Sequence, residues 1–197
     1  MILEGIVTTL SDAGALNIAP MGPRVEPDFR RFLLRPYKTS TTFRNLKARG
    51  EGVLHVTDDV LLLAKTAVGM PVEVVTRPAE LVLGRILVGA CRYFEFRVIE
   101  LDEREDRATI QAESVAQGHL RDFFGWNRAK HAVVEAAILA TRVDFLPLTQ
   151  ILSDLERLAP LVTKTGGHAE REAFGILAEH VRAVALERGI PSDPLAF

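Results

Sequence analysis

The spacing of apolar residues changes once along this chain, after Gly118, and this change constrains the fold more than any other feature. Before Gly118, short runs alternate apolar and polar residues, a spacing typical of β-strands. After it, apolar residues recur every three or four positions, a spacing typical of amphipathic helices. Strands gathered first and helices gathered afterwards predict an α+β fold. We therefore divide the chain into a β-rich domain, residues 1–118, and a helical region, residues 119–197.

The clearest strand runs from Arg92 to Glu100, where three large apolar residues alternate with polar ones. A charged turn at 102–106 leads to a second alternating run, Arg107–Ala116. Together they predict a long hairpin with one buried face. Leu81–Val88 is ambiguous between strand and loop. The remaining predicted strands are Ile2–Thr9, Ala15–Ala19, Phe29–Leu34, Gly52–Thr57 and Val72–Thr76.

Start and stop signals define the predicted helices. Thr39 or Ser40 is a candidate N-cap, and Gly50 a candidate C-terminal stop, for a first helix. Asp58 or Asp59 can cap a second helix, which we consider a better interpretation of these carboxylates than a role beside a phosphate. In the helical region, Asn127 caps one helix, a second opens at Pro147 and a third begins at His168. These three predicted helices span about 128–142, 147–160 and 168–188.

Composition limits the classes of function. The chain has 197 residues, of which 48% are hydrophobic and 25% charged, values typical of a globular protein. A net charge of −2 gives no basic field of the kind that nucleic-acid-binding proteins show. Cys91 is the only cysteine, so intramolecular disulfides and metal sites built on several thiolates are excluded. With no leader-like segment and no long apolar run, we expect a cytoplasmic protein without a membrane partner.

The first candidate binding segment is Leu16–Gly22, predicted to be a strand that stops at a rigid turn. Pro20 fixes its own φ and pushes Ala19 toward extended geometry. Asn17 carries both a donor and an acceptor, which suits the polar edge of a flat heterocycle. Met21 can pack on a ring face, and Gly22 permits close approach of a ligand. The alternative is an ordinary strand that ends in a Pro-Gly turn with an outward asparagine.

The second candidate segment is a run of four hydroxyl residues beside a lysine. Such a run is favoured at a helix start, where hydroxyls and backbone N–H groups converge on an anion. Lys38 or Arg35 would add positive charge. The alternative is a helix cap with solvated threonines. Glycines of a Walker-type loop are absent. The segment consists of Lys38, Thr39, Ser40, Thr41 and Thr42, followed by Asn45.

Together the two segments resemble the flavin-reductase-like FMN-binding split barrels. The resemblance rests on Asn-x-Ala-Pro-Met at 17–21 and on the Lys/Thr/Ser-rich junction with a following asparagine. The whole chain, including Asn127–Glu135, is similar to an uncharacterised branch of that superfamily with a helical C-terminal region. This resemblance implies a split β-barrel, a bound FMN and a homodimer with the cofactor at its interface.

The resemblance also implies which residues contact the cofactor. The isoalloxazine ring would be bordered by Asn17, Ala19, Pro20, Met21 and Gly22. The ribityl phosphate would be held by Lys38, Thr39, Ser40, Thr41, Thr42 and Asn45. It implies a possible FMN-dependent oxidoreductase whose small-molecule substrate the sequence does not name. The alternatives are a non-catalytic module that binds flavin or another nucleotide, and a purely structural dimer.

The remaining polar and aromatic residues give weaker signals. His131 and Glu135 lie four apart, on one face of a predicted helix, without the third ligand that a metal site needs. They predict a solvated or dimer-facing stripe, with a substrate-facing patch as the alternative. We expect Trp126 to be a packing anchor and Cys91 to be a core residue rather than a nucleophile. His119 and His168 are expected at the surface or in helix caps.

Overall fold

The computed structural model describes residues 1–191. Strands fill most of the chain before residue 120, and three long helices follow. In chain order the elements are β1 (Gly5–Leu10), β2 (Leu16–Met21), β3 (Arg24–Val25), β4 (Arg31–Leu34), α1 (Thr41–Arg49), β5 (Glu51–Val56), α2 (Val60–Ala67), β6 (Thr76–Pro78), β7 (Arg85–Leu87), β8 (Arg92–Asp102), β9 (Thr109–His119), α3 (Arg128–Ala140), α4 (Leu148–Thr165) and α5 (His168–Glu187).

A seven-stranded antiparallel sheet forms the first compact unit, in the order β2-β1-β5-β8-β9-β4-β3. The predicted β1–β2 hairpin is confirmed, with Gly5 opposite Met21 and Leu10 opposite Leu16. Strand β2 is an edge of this sheet. Helix α1 packs against β1 and β2, so its first turn lies beside that edge. This arrangement positions the candidate site described below.

The long β8–β9 hairpin is confirmed, but it has two buried faces rather than one. Phe94 and Phe96 are fully buried on one face as predicted. On the other face Tyr93 and Glu95 are also buried, because the segment around β6 and β7 covers it. The Glu95 carboxylate accepts hydrogen bonds from the backbone N–H groups of Glu80 at 2.8 Å and of Leu81 at 2.6 Å. These bonds stabilise a buried carboxylate that strand alternation alone assigns to solvent.

Two other strand predictions differ from the structure. Val72–Thr76 is irregular apart from Thr76, which begins β6. Phe29 lies outside β4, in the turn after β3, with a left-handed φ of 57°. Its ring stacks on Phe94 with centroids 4.6 Å apart. The stacking of the two rings therefore offsets the energetic cost of a backbone conformation that a bulky residue rarely adopts.

The second compact unit contains α3, α4, α5 and the short helix α2. The predicted apolar stripe of α3 is confirmed, since Ala129, Val133, Ala136 and Ala140 are all buried. Helix α4 does not end near Pro160 as predicted but continues through it to Thr165. Ala159 and Val162, on either side of the proline, are buried in the core of this unit. The free energy gained by burying these two side chains offsets the cost of the helical hydrogen bond that the proline removes.

The two units do not follow a single cut of the chain. The sheet unit comprises Met1–Asp58 and Glu73–Phe123, and the helical unit comprises Asp59–Val72 and, within the described chain, residues 124–191. The sequence-based prediction had one boundary, near Gly118, and therefore assigned α2 to the β-rich domain. Helix α2 packs instead against α3 and α5, with Val60, Leu63 and Ala64 buried. Its apolar face belongs to the core of the helical unit.

Candidate functional site

The first candidate segment lies on edge strand β2. The strand does not stop at Pro20 as predicted but continues through it to Met21. An edge strand tolerates proline because the missing N–H can face away from the sheet. The Ser11 N–H donates to the Ala15 carbonyl at 2.9 Å. Hydrogen-bonded and non-hydrogen-bonded pairs alternate along an antiparallel hairpin. In this register Pro20 and Ile6 form a non-hydrogen-bonded pair, so the ring nitrogen of Pro20 points outward. Since direction alternates along a strand, the N–H and C=O of Ile18 also lie on the open side.

Strand alternation separates the side chains of this segment. Asn17, Ala19 and Met21 share one face of β2, and Met21 packs against the apolar core of the sheet unit. The sequence assigned the Met21 side chain to a ring face, whereas the structure places it against the core. Gly22 is exposed and lies beside Glu4, whose carboxylate is within 3.2 Å of where a Cβ would stand.

The second candidate segment forms the start of α1, and Ser40 is its N-cap as predicted. The Ser40 hydroxyl accepts the N–H of Phe43 at 3.1 Å and donates to the Tyr37 carbonyl at 2.7 Å. The first N–H groups of a helix have no intrahelical acceptor, so those of Thr41 and Thr42 face the region before the helix. Gly50 ends the helix in the left-handed conformation, with its N–H on Leu46.

A buried hydrogen-bond network joins the two segments. Asn17 Nδ2 donates to Thr42 Oγ1 at 3.0 Å and lies 3.3 Å from Thr9 Oγ1. Asn45 Nδ2 donates to the same Thr9 hydroxyl at 3.0 Å. Thr9, Thr42 and Asn45 are at most 5% exposed. Among residues 1–191, no hydrogen bond reaches Asn17 Oδ1, so this oxygen is a candidate acceptor for a ligand or for water.

The exposed hydroxyls at the start of α1 are Thr39 and Thr41, and both lie beside a cation that the sequence did not single out. Arg44 donates from Nη2 to Thr41 Oγ1 at 2.9 Å and from Nη1 to the Thr39 carbonyl at 2.9 Å. The sequence could have predicted this contact, because positions 41 and 44 lie three apart and share one face of the predicted helix. Arg44 adds a guanidinium, the side chain best suited to a phosphate, to the first turn of α1.

Lys38 is fastened to the tip of the β8–β9 hairpin. Its backbone N–H donates to the Asp106 carbonyl at 3.0 Å, and its Nζ donates to the Glu103 carbonyl at 3.2 Å. The ammonium group bonds to a carbonyl here rather than to a carboxylate, so its positive charge is not neutralised by this contact. Lys38 therefore brings a cation to the segment that precedes α1.

The polar residues that end β5 are occupied within the protein. Asp59 caps α2 by accepting the N–H of Leu62 at 2.9 Å, as predicted. Asp58 is buried and pairs with Arg121. Cys91 is 2% exposed, and burial, followed by the nearby Asp58 charge, raises the pKa of its thiol. A buried thiol that resists ionisation is not a nucleophile, so the interpretation of Cys91 as a core residue is confirmed.

His55 of β5 is fully buried and makes a hydrogen bond at each ring nitrogen. Nε2 accepts the N–H of Leu87 at 3.0 Å, and Nδ1 lies 3.2 Å from the Ile6 carbonyl. Because Nε2 accepts, Nδ1 must carry the proton and donate. Burial lowers the pKa of His55 to about 4. The ring is thus a neutral connector between β1, β5 and β7.

In the helical unit, His131 and Glu135 are exposed on α3, in agreement with a solvated stripe. His119 and His168 are also exposed, with side-chain accessibilities of 59% and 95%. Trp126 is not a packing anchor, because it is 86% exposed. Its indole meets the ring of His131 edge to face, with centroids 5.3 Å apart.

Two surface hollows of the sheet unit are lined by residues outside the predicted flavin-binding set. One, of about 480 Å³, lies between Arg35 and the hairpin tip. The other, of about 400 Å³, lies along β3 and β4. Over residues 1–191 there is no group of three or more potential metal ligands. Within the same range, no helix is both long and apolar enough to cross a bilayer.

Two family models match the chain. The model of the N-terminal domain of a protein of unknown function, DUF447, matches residues 3–121. The model of the DUF447 C-terminal region matches residues 127–179. No curated protein shows significant sequence similarity to the chain.

Solved structures with the same fold include flavoproteins. The FMN-bound protein MM1853 from Methanosarcina mazei is 24% identical, with a TM-score of 0.77, 91% of this chain covered and 94% of that one. The 2-nitrobenzoate 2-nitroreductase NbaA from Pseudomonas fluorescens is 16% identical, with a TM-score of 0.51 and coverages of 59% and 64%. Flavoredoxin from Methanosarcina acetivorans is 16% identical, with a TM-score of 0.51 and coverages of 60% and 68%. The predicted fold class, a split β-barrel followed by a helical region, is confirmed.

Proposed function

This chain belongs to the DUF447 family of proteins of unknown function, and we propose that it is an FMN-binding protein with flavin-dependent oxidoreductase activity. The observation that carries the proposal is the Asn17–Thr42 hydrogen bond, which joins the β2 edge to the first turn of α1. One nucleotide can then reach both segments. The similar protein MM1853, which shares the fold, is FMN-bound.

The flavin ring would lie along the open edge of β2. There the N–H and C=O of Ile18 and the C=O of Pro20 match the alternating donors and acceptors of the isoalloxazine edge. Asn17 Oδ1 adds an acceptor, while its Nδ2 is held by Thr42. Ala19 and Gly22 present little bulk. In this arrangement Met21 contributes its backbone, since its side chain packs on the core.

The phosphate would lie before α1. Thr39 and Thr41 are the exposed hydroxyls, and the free N–H groups of the first turn point the same way. Arg44 and Lys38 supply positive charge, and Ser40 shapes the turn as the N-cap. Thr42 and Asn45 are buried and act as positioning residues, because their hydrogen bonds fix α1 against β1 and β2.

Bound FMN would supply the hydride and electron transfer, and the protein would fix and orient it. The residues proposed at the ring edge are backbone groups and an amide, so no acidic or basic side chain has to move a proton. We further propose a homodimer. The proposed segments lie on an open sheet edge rather than in an enclosed hollow, and a second copy could complete the site. The single reduced cysteine supports a cytoplasmic location.

A titration that compares FMN with riboflavin tests the proposal. Riboflavin lacks the phosphate, so we expect FMN to bind at micromolar concentration or tighter and at least tenfold more tightly than riboflavin. The changes Thr41→Val and Arg44→Gln should reduce FMN affinity and leave riboflavin affinity within twofold. Flavin fluorescence measures both ligands.

Thr163→Val is the matched control, because Thr163 is an exposed helical threonine in the other unit. It should leave the affinities of both ligands unchanged. Protein that stays colourless and binds neither ligand contradicts the proposal. Equal affinities for FMN and riboflavin contradict the phosphate site.

The second candidate function is a flavin carrier without turnover. It is favoured by the same lack of an acid or base among the proposed ring-edge residues. Anaerobic addition of NADH or NADPH to the FMN-loaded protein distinguishes the two candidates. Bleaching of the flavin absorbance indicates a reductase. Unchanged absorbance with both donors indicates a carrier or an enzyme that uses another donor.

A further inference from the structure

The hollow at the tip of the β8–β9 hairpin has the size of a small-molecule site and a lining rich in arginine. Its volume is about 480 Å³, within the range of small-molecule pockets. Three guanidinium groups line it, those of Arg35, Arg104 and Arg107. Asp102 and Glu105 are the lining carboxylates, and Thr109 adds a hydroxyl. The lining side chains therefore carry more positive than negative charge.

Two of these arginines are held by exposed ion pairs. Arg35 Nη2 lies 2.7 Å from Glu105 Oε2, and Glu105 is 75% exposed. Arg104 Nε lies 2.9 Å from both oxygens of Asp102, and its hydrogen bonds lower the pKa of Asp102 to about 2. Exposed pairs contribute little to stability. Arg35 can therefore exchange Glu105 for a phosphate dianion, which takes a bidentate guanidinium contact.

Arg107 is the lining arginine that has no carboxylate partner among residues 1–191. Its Nε donates to the Arg35 carbonyl at 3.0 Å. Its guanidinium stacks over the Tyr37 ring at 5.0 Å. The stacking and the carbonyl contact orient the side chain but leave the charge unneutralised. This is the state expected of an arginine that binds an anion from solution.

The hollow is connected to the proposed flavin site through the backbone. The Ala108 N–H donates to the Pro36 carbonyl at 3.0 Å, and the Lys38 backbone N–H donates to the Asp106 backbone carbonyl at 3.0 Å. The hairpin tip is thus fastened to the segment that leads into α1. A ligand in the hollow would approach the phosphate end of the proposed site from the side of Lys38.

We infer that this hollow binds the phosphate groups of a nucleotide that reaches the flavin site past Lys38. The inference deepens the proposed function and rests on it for the reaction served, but not for phosphate binding itself. The same chemistry has two sources, the diphosphate of a dinucleotide and the 2′-phosphate of a phosphorylated hydride donor. Both place a multiply charged anion against Arg35 and Arg107.

Calorimetric titration with pyrophosphate, 5′-ADP and 2′,5′-ADP tests the inference, on FMN-free protein and again after FMN addition. We expect the unaltered protein to bind at least one of these probes. In the variant Arg107→Gln, that affinity should fall at least tenfold while FMN affinity changes less than twofold, because Arg107 lines the hollow and has no place in the proposed flavin site. Tighter binding of 5′-ADP supports the diphosphate source, and tighter binding of 2′,5′-ADP supports the 2′-phosphate source.

Arg30→Gln is the matched control. Arg30 is exposed and precedes β4, about 16 Å along the extended chain from Arg35, and its loss should leave probe affinity unchanged. If Arg107→Gln does not fold, Arg104→Gln provides the test, because Arg104 also lines the hollow and its side chain is 88% exposed. Absence of probe binding, or equal affinity in the altered and unaltered proteins, overturns the inference. Failure of FMN binding alone overturns only the proposed function.

Discussion

At the scale of single residues, the buried polar side chains explain how this sheet is held together. His55 connects three strands through its two ring nitrogens, and Glu95 binds two backbone N–H groups of the covering segment. Asn17, Thr42 and Asn45 do the same between α1 and the first hairpin. The Glu95 carboxylate and both ring nitrogens of His55 are satisfied by specific partners, which is the condition for burying polar groups without loss of stability.

His55 should make the free energy of unfolding depend on pH. Its pKa is lowered from 6.5 to about 4 in the fold by burial, so the unfolded chain binds its proton first. Neutral His55 contributes its whole stabilisation to the free energy of unfolding above pH 6.5, and this contribution falls as the pH is lowered toward 4. Once the pH is below the folded-state pKa, the free energy of unfolding is lower by about 3 kcal/mol. Urea denaturation at pH 7.5, 5.5 and 4.5 measures it.

The change His55→Gln provides the comparison for this pH dependence. A glutamine amide can accept the Leu87 N–H but cannot be protonated in this range. The variant should be less stable at pH 7.5 and should lose less stability on acidification than the unaltered protein. Identical pH slopes in both proteins would contradict the assignment to His55.

Residue-level predictions succeeded where the chemistry is local. Ser40, Asp59 and Asn127 were expected to cap helices, and all three accept the expected N–H groups. Trp126 was wrongly expected to be a packing anchor, because its apolar character says nothing about which element covers it. Arg44 was missed because a guanidinium on an exposed helix face is usually only solvated.

At the scale of elements, the cap of α3 also fastens the end of α4. Asn127 Oδ1 accepts the Lys130 N–H at 3.0 Å, and its Nδ2 donates to the Thr165 carbonyl at 3.1 Å. Asn127→Ala should destabilise the protein by about 1–2 kcal/mol because both contacts are lost. Asn127→Asp keeps the cap acceptor and should lose less. Chemical denaturation measures both variants, and equal losses would contradict the separate role of the cap.

Helix α4 tolerates a proline that its sequence predicted as a stop. Pro160 cannot donate to the Glu156 carbonyl, so Pro160→Ala should restore a helical hydrogen bond and raise stability by about 1–3 kcal/mol. Pro147→Ala is the control, since the N-cap position needs no intrahelical donor. Thermal unfolding compares the variants. A lower melting temperature for Pro160→Ala would show that the proline is required for the packing of this helix.

Elements with a strong local period were predictable, and elements set by tertiary packing were not. The β8–β9 hairpin and the apolar stripe of α3 follow directly from alternation and helical spacing. The second buried face at Tyr93 and Glu95 depends on a covering segment with only short strands. The continuation of α4 past Pro160 depends on the burial of Ala159 and Val162.

At the scale of the whole molecule, the fold class was predictable because strand spacing and helical spacing separate near Gly118. The membership of α2 was not, because its apolar face alone does not tell which core it joins. The proposed site combines two segments about 20 residues apart in sequence. The sequence predicted both segments, but their contact through Asn17, Thr42, Thr9 and Asn45 is visible only in the structure.

The proposed homodimer has a measurable consequence for flavin affinity. If the partner completes the site, sedimentation should give about twice the 21.7 kDa mass of one chain. FMN affinity should then fall as the protein is diluted into the monomer range. A monomer that binds FMN with undiminished affinity would contradict a site completed by a second copy.

A crystal structure with FMN tests the central claim most directly, because it locates both ends of the cofactor at once. We predict the phosphate within hydrogen-bond distance of the Thr41 hydroxyl and the Arg44 guanidinium, and the ring edge along Ile18 and Pro20 of β2. FMN bound on another surface, or with its phosphate away from the start of α1, would contradict the account.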